Sequence, residues 1–316
     1  MIPPEASALA DRIRAAVRVA VVGREVAVEQ VLTAIVADGH ILIEDLPGLG
    51  KTLLAKSFAS ALGLGFQRVQ FTADLLPHDI TGGEVLDPQE HGFTFREGPL
   101  FTNLLLADEI NRAPPKVQSS LLEAMQEYQV TSERSTYPLP RPFLVVATEN
   151  PLELEGTYPL PEAQVDRFLI RMQVGYPTPE EERMILERRR TRKADVVEVP
   201  KVADSTTFLA LQHTVEEITL DPSLADYIVD LVRATRDDVR AEVGASPRGS
   251  LALQKLSRAR ALLEGRDFVV PDDIKSFAVP ALAHRILVKP EPWIRGVRGG
   301  DIVARAVDSL PVPKVS

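Results

Sequence analysis

Short apolar runs alternate with helix-period segments over the first half of the chain. Ile41-Leu42-Ile43, Phe66 to Phe71, Leu104-Leu105-Leu106, Phe143 to Ala147 and Phe168 to Val174 are each of strand length, and helical patterns separate them. Runs that are continuously apolar, rather than alternating, mark strands covered on both faces, so the pattern predicts a parallel sheet between helices. After Pro177 the pattern changes to helices with explicit start signals. Thr178-Pro179-Glu180-Glu181 supplies an N-cap, a proline at the first helical position and acids in the first turn, and the same helix closes on Arg188-Arg189-Arg190, as the macrodipole favours. Asp221-Pro222 opens a helix with Leu224, Tyr227, Ile228, Leu231 and Val232 at helical spacing, Ser246-Pro247 opens another, and Pro271-Asp272-Asp273 a further one. The expectation is an α/β unit over residues 1–177, with a central parallel sheet, followed by a smaller all-α unit over residues 178–316.

Composition agrees with this division. The chain has 316 residues, which at roughly 150 residues per domain points to two units. Hydrophobic residues at 45% and charged residues at 26% exclude disordered and collagen-like classes, and aromatics at 5% imply an aliphatic interior. Lys and Arg total 36 against 45 Asp and Glu, a net charge of −9, which disfavours nucleic acid as the principal ligand. The absence of cysteine removes disulfides, thiolate metal sites and cysteine nucleophiles together, and fits a reducing compartment. Residues 1–20 mix Pro3, Pro4, Glu5, Asp11 and three arginines among alanines and valines, so they lack the apolar stretch of a signal peptide. No run approaches the roughly 18 apolar residues of a membrane span, and the expected location is the cytoplasm. The five histidines show no HExxH or paired-ligand spacing, so no zinc site is expected. The Arg188 to Lys193 cluster reads as a helix end rather than a nucleic-acid patch.

Candidate chemistry begins directly after the first strand. Leu46-Pro47-Gly48-Leu49-Gly50-Lys51-Thr52 lies between Ile41-Leu42-Ile43 and the helical run Leu53-Leu54-Ala55-Lys56. Strand, glycine-bearing loop, Lys-Thr and helix is the P-loop arrangement: backbone N–H groups and a helix N-terminus cradle a polyphosphate, the lysine reaches the terminal phosphates, and the hydroxyl holds Mg²⁺. Pro47, Gly48, Leu49, Gly50, Lys51, Thr52 and Leu53 are the candidate ATP-binding residues. The general pattern opens with glycine, whereas this chain has Asp45. Further on, the apolar strand Leu104 to Ala107 ends in Asp108-Glu109, the acid pair that in P-loop hydrolases orients the Mg²⁺ shell and polarises the attacking water. Asp108 with Thr52 is therefore the candidate metal set, and Glu109 the candidate catalytic base. Leu144 to Ala147 runs into Thr148-Glu149-Asn150-Pro151, so Asn150 either positions the lytic water or forms an Asn-Pro turn. Arg248, in the first turn of a helix, opposes the helix dipole and so calls for an anion, either the nucleotide or a surface carboxylate.

The run Gly98 to Glu127, the run Ala147 to Phe168, Gly39-His40-Ile41-Leu42-Ile43-Glu44-Asp45 and Gly244-Ala245-Ser246-Pro247-Arg248 together resemble the MoxR-type AAA+ ATPases over nearly the whole chain. Asp45 in the first P-loop position is usual in that family. The resemblance implies an AAA+ core and a helical lid that close Mg²⁺ and ATP at the interfaces of a ring of identical subunits, commonly a hexamer. It implies Asn150 as sensor 1, Arg248 as sensor 2, Arg167 as a finger reaching the neighbour's ATP, and Val22-Gly23 as the part flanking adenine. It places inserted hairpins at Gly82 to Phe95 and Gln129 to Pro142 near the pore, where alternation also admits plain surface loops. A protein client and a partner with a von Willebrand factor A domain are implied, the output being remodelling, assembly or metal-cofactor insertion. Two other readings stay open: a DNA-directed AAA+ motor, for which no basic strip with interleaved aromatics is present, and a nucleotide-gated scaffold without turnover, which would need none of Glu109, Asn150 and Arg167.

Overall fold

The structure is a computed structural model describing residues 1–87, 92–132, 135–151 and 157–313. Along the chain run α1 (Pro3–Ala20), α2 (Glu25–Val36), β1 (Ile41–Glu44), α3 (Lys51–Leu62), β2 (Phe66–Gln70), α4 (Pro77–Thr81), β3 (Gly82–Asp87), β4 (Gly92–Glu97), β5 (Leu104–Asp108), α5 (Pro115–Glu127), β6 (Gln129–Thr131), β7 (Thr136–Pro138) and β8 (Leu144–Glu149). They continue with α6 (Glu162–Val165), β9 (Ile170–Met172), α7 (Pro179–Arg192), α8 (Ser205–Val215), α9 (Pro222–Asp237), β10 (Ala241–Val243), α10 (Pro247–Leu263), α11 (Pro271–Leu282), β11 (Leu287–Val288), α12 (Pro290–Ile294) and α13 (Gly299–Ser309).

The five expected strands form one parallel sheet in the order β2-β5-β8-β1-β9. Their continuous apolar runs feed two layers. Ile41, Ile43, Leu104, Leu106, Leu144 and Val146 face a cluster built with α1, α2, α3 and the helices from α8 onward. Leu42, Leu105, Ala107, Val145 and Ala147 face a second cluster built largely by α5, Phe143 and Phe168. Because side chains alternate along a strand, the same parity carries the polar residues at the strand ends. Asp108 and Thr148 emerge on the α3 side, and Glu44 and Glu149 on the α5 side. The strand order makes β1 the point where connections turn to opposite sides, and a ligand in an open α/β sheet sits at the carboxyl end of such a strand.

The helix starts follow the sequence signals. Thr178 accepts from Glu181 N at 3.2 Å while the Glu181 carboxylate takes Thr178 N at 2.9 Å, and Asp221 and Ser246 cap α9 and α10. The region after α7 is helical with one addition, the antiparallel ribbon β10–β11. The two expected hairpins are antiparallel pairs, β3 with β4 and β6 with β7, and Phe95 stacks on Tyr137 at 3.8 Å to join them. Residues 88–91 and 133–134 of those hairpins, and 152–156 of the run that carries the family resemblance, lie outside the described residues. Among the described residues no helix is long and apolar enough to cross a membrane.

Candidate active site

The P-loop occupies the expected place, between the carboxyl end of β1 and the N-terminus of α3. Gly48 and Gly50 both have φ of +83°, and nothing lies within 4 Å of where a Cβ would stand, so backbone conformation rather than crowding requires glycine there. Gly50 is the N-cap of α3 and brings no capping side chain, so first-turn N–H groups remain for an anion. This open, uncapped loop fits a polyphosphate. Lys51 is buried, and its ammonium donates to the Asp45 carbonyl at 2.7 Å. Burial lowers its pKa, while Asp108, Asp45 and Glu109 oppose that shift, so loop and acid pair share one electrostatic site.

Asp45 departs from glycine for a structural reason. Its Oδ2 accepts from Val174 N and Gly175 N, both at 2.7 Å, and its Oδ1 from Leu46 N at 3.1 Å. The carboxylate thus ties the P-loop to the chain leaving β9. The neighbouring backbone ties the loop to β8, because Asp45 N donates to Glu149 O at 3.1 Å. Asn150, the next residue, is 4% exposed and so is delivered beside the loop.

The acid pair stands one strand farther out. Asp108 receives Thr148 Oγ1 at 2.7 Å on one oxygen and Arg68 at 2.7 and 3.0 Å on the other. Thr148 Oγ1 also accepts from Glu109 N at 2.8 Å. Glu109 has φ of +57°, an unfavourable conformation for a residue with a side chain, of the sort found at functional sites. Its carboxylate receives Gln70 at 2.7 Å and Arg112 at 3.0 Å. No group of three or more metal-ligating side chains occurs among the described residues. A Mg²⁺ ion keeps waters and is held through one or two protein groups plus substrate phosphates, and Thr52, in the first turn of α3, and Asp108 are the groups that could hold it here. Thr148, Arg68 and Gln70 were not singled out by the sequence, although polar side chains at alternate positions of a strand, on the parity that delivers Asp108, were the available signal.

Beside the P-loop lies a cleft of about 330 Å³. Of the candidate nucleotide-binding residues, Val22, Gly48, Leu49, Gly50 and Leu53 line it and Gly23, Pro47, Lys51 and Thr52 do not, and Arg188, Arg189 and Arg192 of α7 close its other wall. The arginines read in the sequence as a helix end therefore also flank the cleft. Gly23 turns the chain at φ +65°, and a Cβ there would run into the Glu181 side chain. On the opposite sheet face Glu149 sits level with Glu44, and burial and that neighbour push its carboxyl up to about 7, with Arg171 opposing.

Arg248 and Arg167 stand apart from the P-loop of their own chain. Arg248 pairs with Asp166 at 3.6 Å, so of the two anions the sequence allowed it meets a carboxylate, here a largely buried one, and not its own chain's nucleotide site. Asp166 and Arg167 precede β9, and Leu169 N bonds to His40 O at 2.8 Å, so both lie at the amino end of the sheet. Four or five residues of strand separate that end from the carboxyl end that carries the P-loop, about 15 Å at 3.3 Å per residue. Arg167 is half-buried and donates to Leu122 O at 2.8 Å, so it packs on α5, and its Nε is buried without a partner. Arg167 and Arg248 line one cavity of about 300 Å³ there.

Comparison with known proteins agrees with this geometry. The profile of the ATPase family associated with various cellular activities (AAA) matches residues 40–170, and that of the AAA lid domain matches residues 233–306. The chain is 44% identical to the uncharacterised protein YeaC of Bacillus subtilis, covering 94% of this chain and 92% of that protein. It is 41% identical to chaperone MoxR1 of Mycobacterium tuberculosis, covering 94% and 80%. A crystal structure from Cytophaga hutchinsonii, of a protein assigned as an ATPase, superposes with a TM-score of 0.91 at 38% identity, covering 99% of this chain and 97% of that one. With its P-loop and acid pair at the carboxyl ends of β1 and β5, on either side of β8, its helical lid and these relatives, the chain belongs to the MoxR-type AAA+ ATPases.

Proposed function

We propose that this ATPase binds Mg²⁺ and ATP at the P-loop of one subunit and completes the site with Arg167 and Arg248 of the next subunit in a homo-oligomeric ring. One observation carries the reading: the two arginines line one cavity at the amino end of the sheet, a strand's length of about 15 Å from the carboxyl end that carries the P-loop and the acid pair. A cation that is to stabilise a phosphoryl transition state must touch it, so these two serve a nucleotide that another copy presents. Lys51 and the loop amides hold the phosphates, Thr52 and Asp108 contribute to the Mg²⁺ shell, Glu109 accepts the proton of the attacking water, and Asn150 orients that water.

The cycle drives chaperone-like remodelling of a protein client. The likeness to chaperone MoxR1 supports that role; the resemblance of the sequence motifs to the MoxR-type family is what suggests assembly or metal-cofactor insertion as outputs and a von Willebrand factor A-domain protein as partner. Leu86 and Phe93, exposed on the β3–β4 pair, are the apolar side chains best placed to grip a client. The cysteine-free composition suits a cytoplasmic site of action.

The test is complementation between two inactive variants. Arg167→Ala should keep ATP affinity and lose about 10³–10⁵ in turnover, the range for a finger supplied in trans. Mixed with Glu109→Gln, it should recover activity, because some interfaces then pair an intact Glu109 with a neighbour's intact Arg167. Two variants that co-assemble and stay inactive would overturn the reading, as would a dilute monomer hydrolysing at full rate.

A further inference from the structure

Asp166 has two cationic partners of opposite character. Arg248, half-exposed, approaches it at 3.6 Å. Arg285, whose side chain is 3% exposed, donates Nε to Asp166 Oδ1 at 2.8 Å. The rest of the Arg285 fork is spent on the main chain around Arg167: Nη2 reaches Phe168 O at 2.8 Å and Asp166 O at 3.1 Å, and Nη1 reaches Leu169 O at 3.4 Å. Nη1 also donates to Ala281 O near the end of α11, one turn before it. His284 joins the same clamp, its Nε2 at 3.2 Å from Phe168 O, and burial together with Arg285 holds the ring well below the usual histidine range, hence neutral. One buried guanidinium thus fastens the lid to every residue flanking Arg167.

We propose that Arg285 is a positioning residue for the trans-acting arginine pair, and that Asp166 is its permanent counter-ion and an exchangeable one for Arg248. This rests on the reading that Arg167 and Arg248 serve a neighbour's nucleotide. The two ion pairs differ in what it takes to open them. A buried pair with further hydrogen bonds is strongly disfavoured from breaking, because each partner would be left as an uncompensated charge. A half-exposed pair at 3.6 Å is worth little and is replaced by water or by another anion with small loss. When the terminal phosphates of an adjoining subunit arrive, Arg248 can therefore turn from Asp166 to the phosphate while Arg285 keeps Asp166 neutralised and the backbone of Arg167 fixed. Without Arg285, release of Arg248 would leave the carboxylate only the Ser246 hydroxyl at 3.3 Å, and the finger loop would keep its His40, Leu122 and His284 contacts but lose its charged clamp.

Arg285→Lys is the informative variant. An ammonium keeps the charge opposite Asp166 but is a single point donor, unable to serve a carboxylate and several carbonyls in one rigid fork. Turnover should fall about tenfold, with KM for ATP within about twofold of the parent and nucleotide binding intact. Mixing with Glu109→Gln should restore turnover, as it does for Arg167→Ala. Asp166→Asn, made from the other side of the pair, should show the same split and the same rescue. A merely structural role would weaken nucleotide binding within the variant's own subunit, and no partner would rescue it. Parent-like turnover in Arg285→Lys, or failure of its rescue where the Arg167→Ala mixture recovers, overturns the clamp and leaves the trans reading standing. Failure of the Arg167→Ala mixture overturns both.

Discussion

Asp45 should be the anchor of the P-loop, and replacing it with alanine removes that anchor without touching the phosphate-binding groups. The carboxylate is 8% exposed and accepts two backbone N–H groups at 2.7 Å and one at 3.1 Å. A hydrogen bond to a charged group contributes about 1.5–3 kcal/mol, but Val174 and Gly175 are half-buried, and water can replace part of the loss. Taking about 1–1.5 kcal/mol for each of the two short bonds gives a destabilisation of about 2–3 kcal/mol for Asp45→Ala. At roughly 2 °C per kcal/mol, appropriate to a large domain, Tm should fall by about 4–6 °C. Asp45→Asn keeps an acceptor oxygen and loses the charge, so about half of that loss is expected. The Lys51 ammonium bonds to the main-chain carbonyl of residue 45, which both variants retain, so ATP affinity should fall far less than in a lysine variant. Urea unfolding of parent and variants, with a fluorescent ATP analogue titrated into each, measures both quantities. A stability within about 0.5 kcal/mol of the parent for Asp45→Ala, or an asparagine variant worse than the alanine one, would refute the anchor.

Three further outcomes are expected. Lys51→Ala should abolish nucleotide binding while Glu109→Gln binds normally and does not turn over, because the lysine meets the ground-state phosphates and the glutamate acts on water only during reaction; equal affinity losses in a titration would remove the assignment. Glu149 has a folded pKa of about 7 against 4.5 when unfolded, so its contribution is intact below pH 4.5, declines as the unfolded chain alone ionises, and levels off above pH 7. Glu149→Gln should thus stabilise the protein by about 3 kcal/mol at pH 8 and by little at pH 4.5, as read by urea unfolding at the two pH values; a gain that does not depend on pH would contradict the burial argument. DNA should change ATP turnover less than about twofold at physiological salt, since an acidic chain lacks the counterion-release contribution; strong, salt-sensitive stimulation would favour a DNA motor.

What the sequence determined by itself is local or periodic. Continuous apolar runs specify strands that must be covered on both faces, and the cap at Thr178, the prolines after it and the glycines at positive φ act within a few residues of where they are read. The P-loop, Asp108, Glu109 and Asn150 were legible for the same reason: each sits at the carboxyl end of a strand whose direction the pattern already implied. Tertiary structure decided everything that depends on which strand lies beside which. Thr148 could acquire its role only once β8 lay beside β5, and Arg68 and Gln70 only once β2 bordered β5. The same holds for Arg248. Its helix start was readable, but its partner, Asp166, is 80 or more residues away and is brought to it by the lid packing on the amino end of the sheet, with Arg285 in the interface. Chain connectivity carries no record of such a meeting, because the free energy that selects it comes from burying the shared aliphatic face of the sheet, the N-terminal helices and the lid, to which every apolar side chain contributes and no single one points.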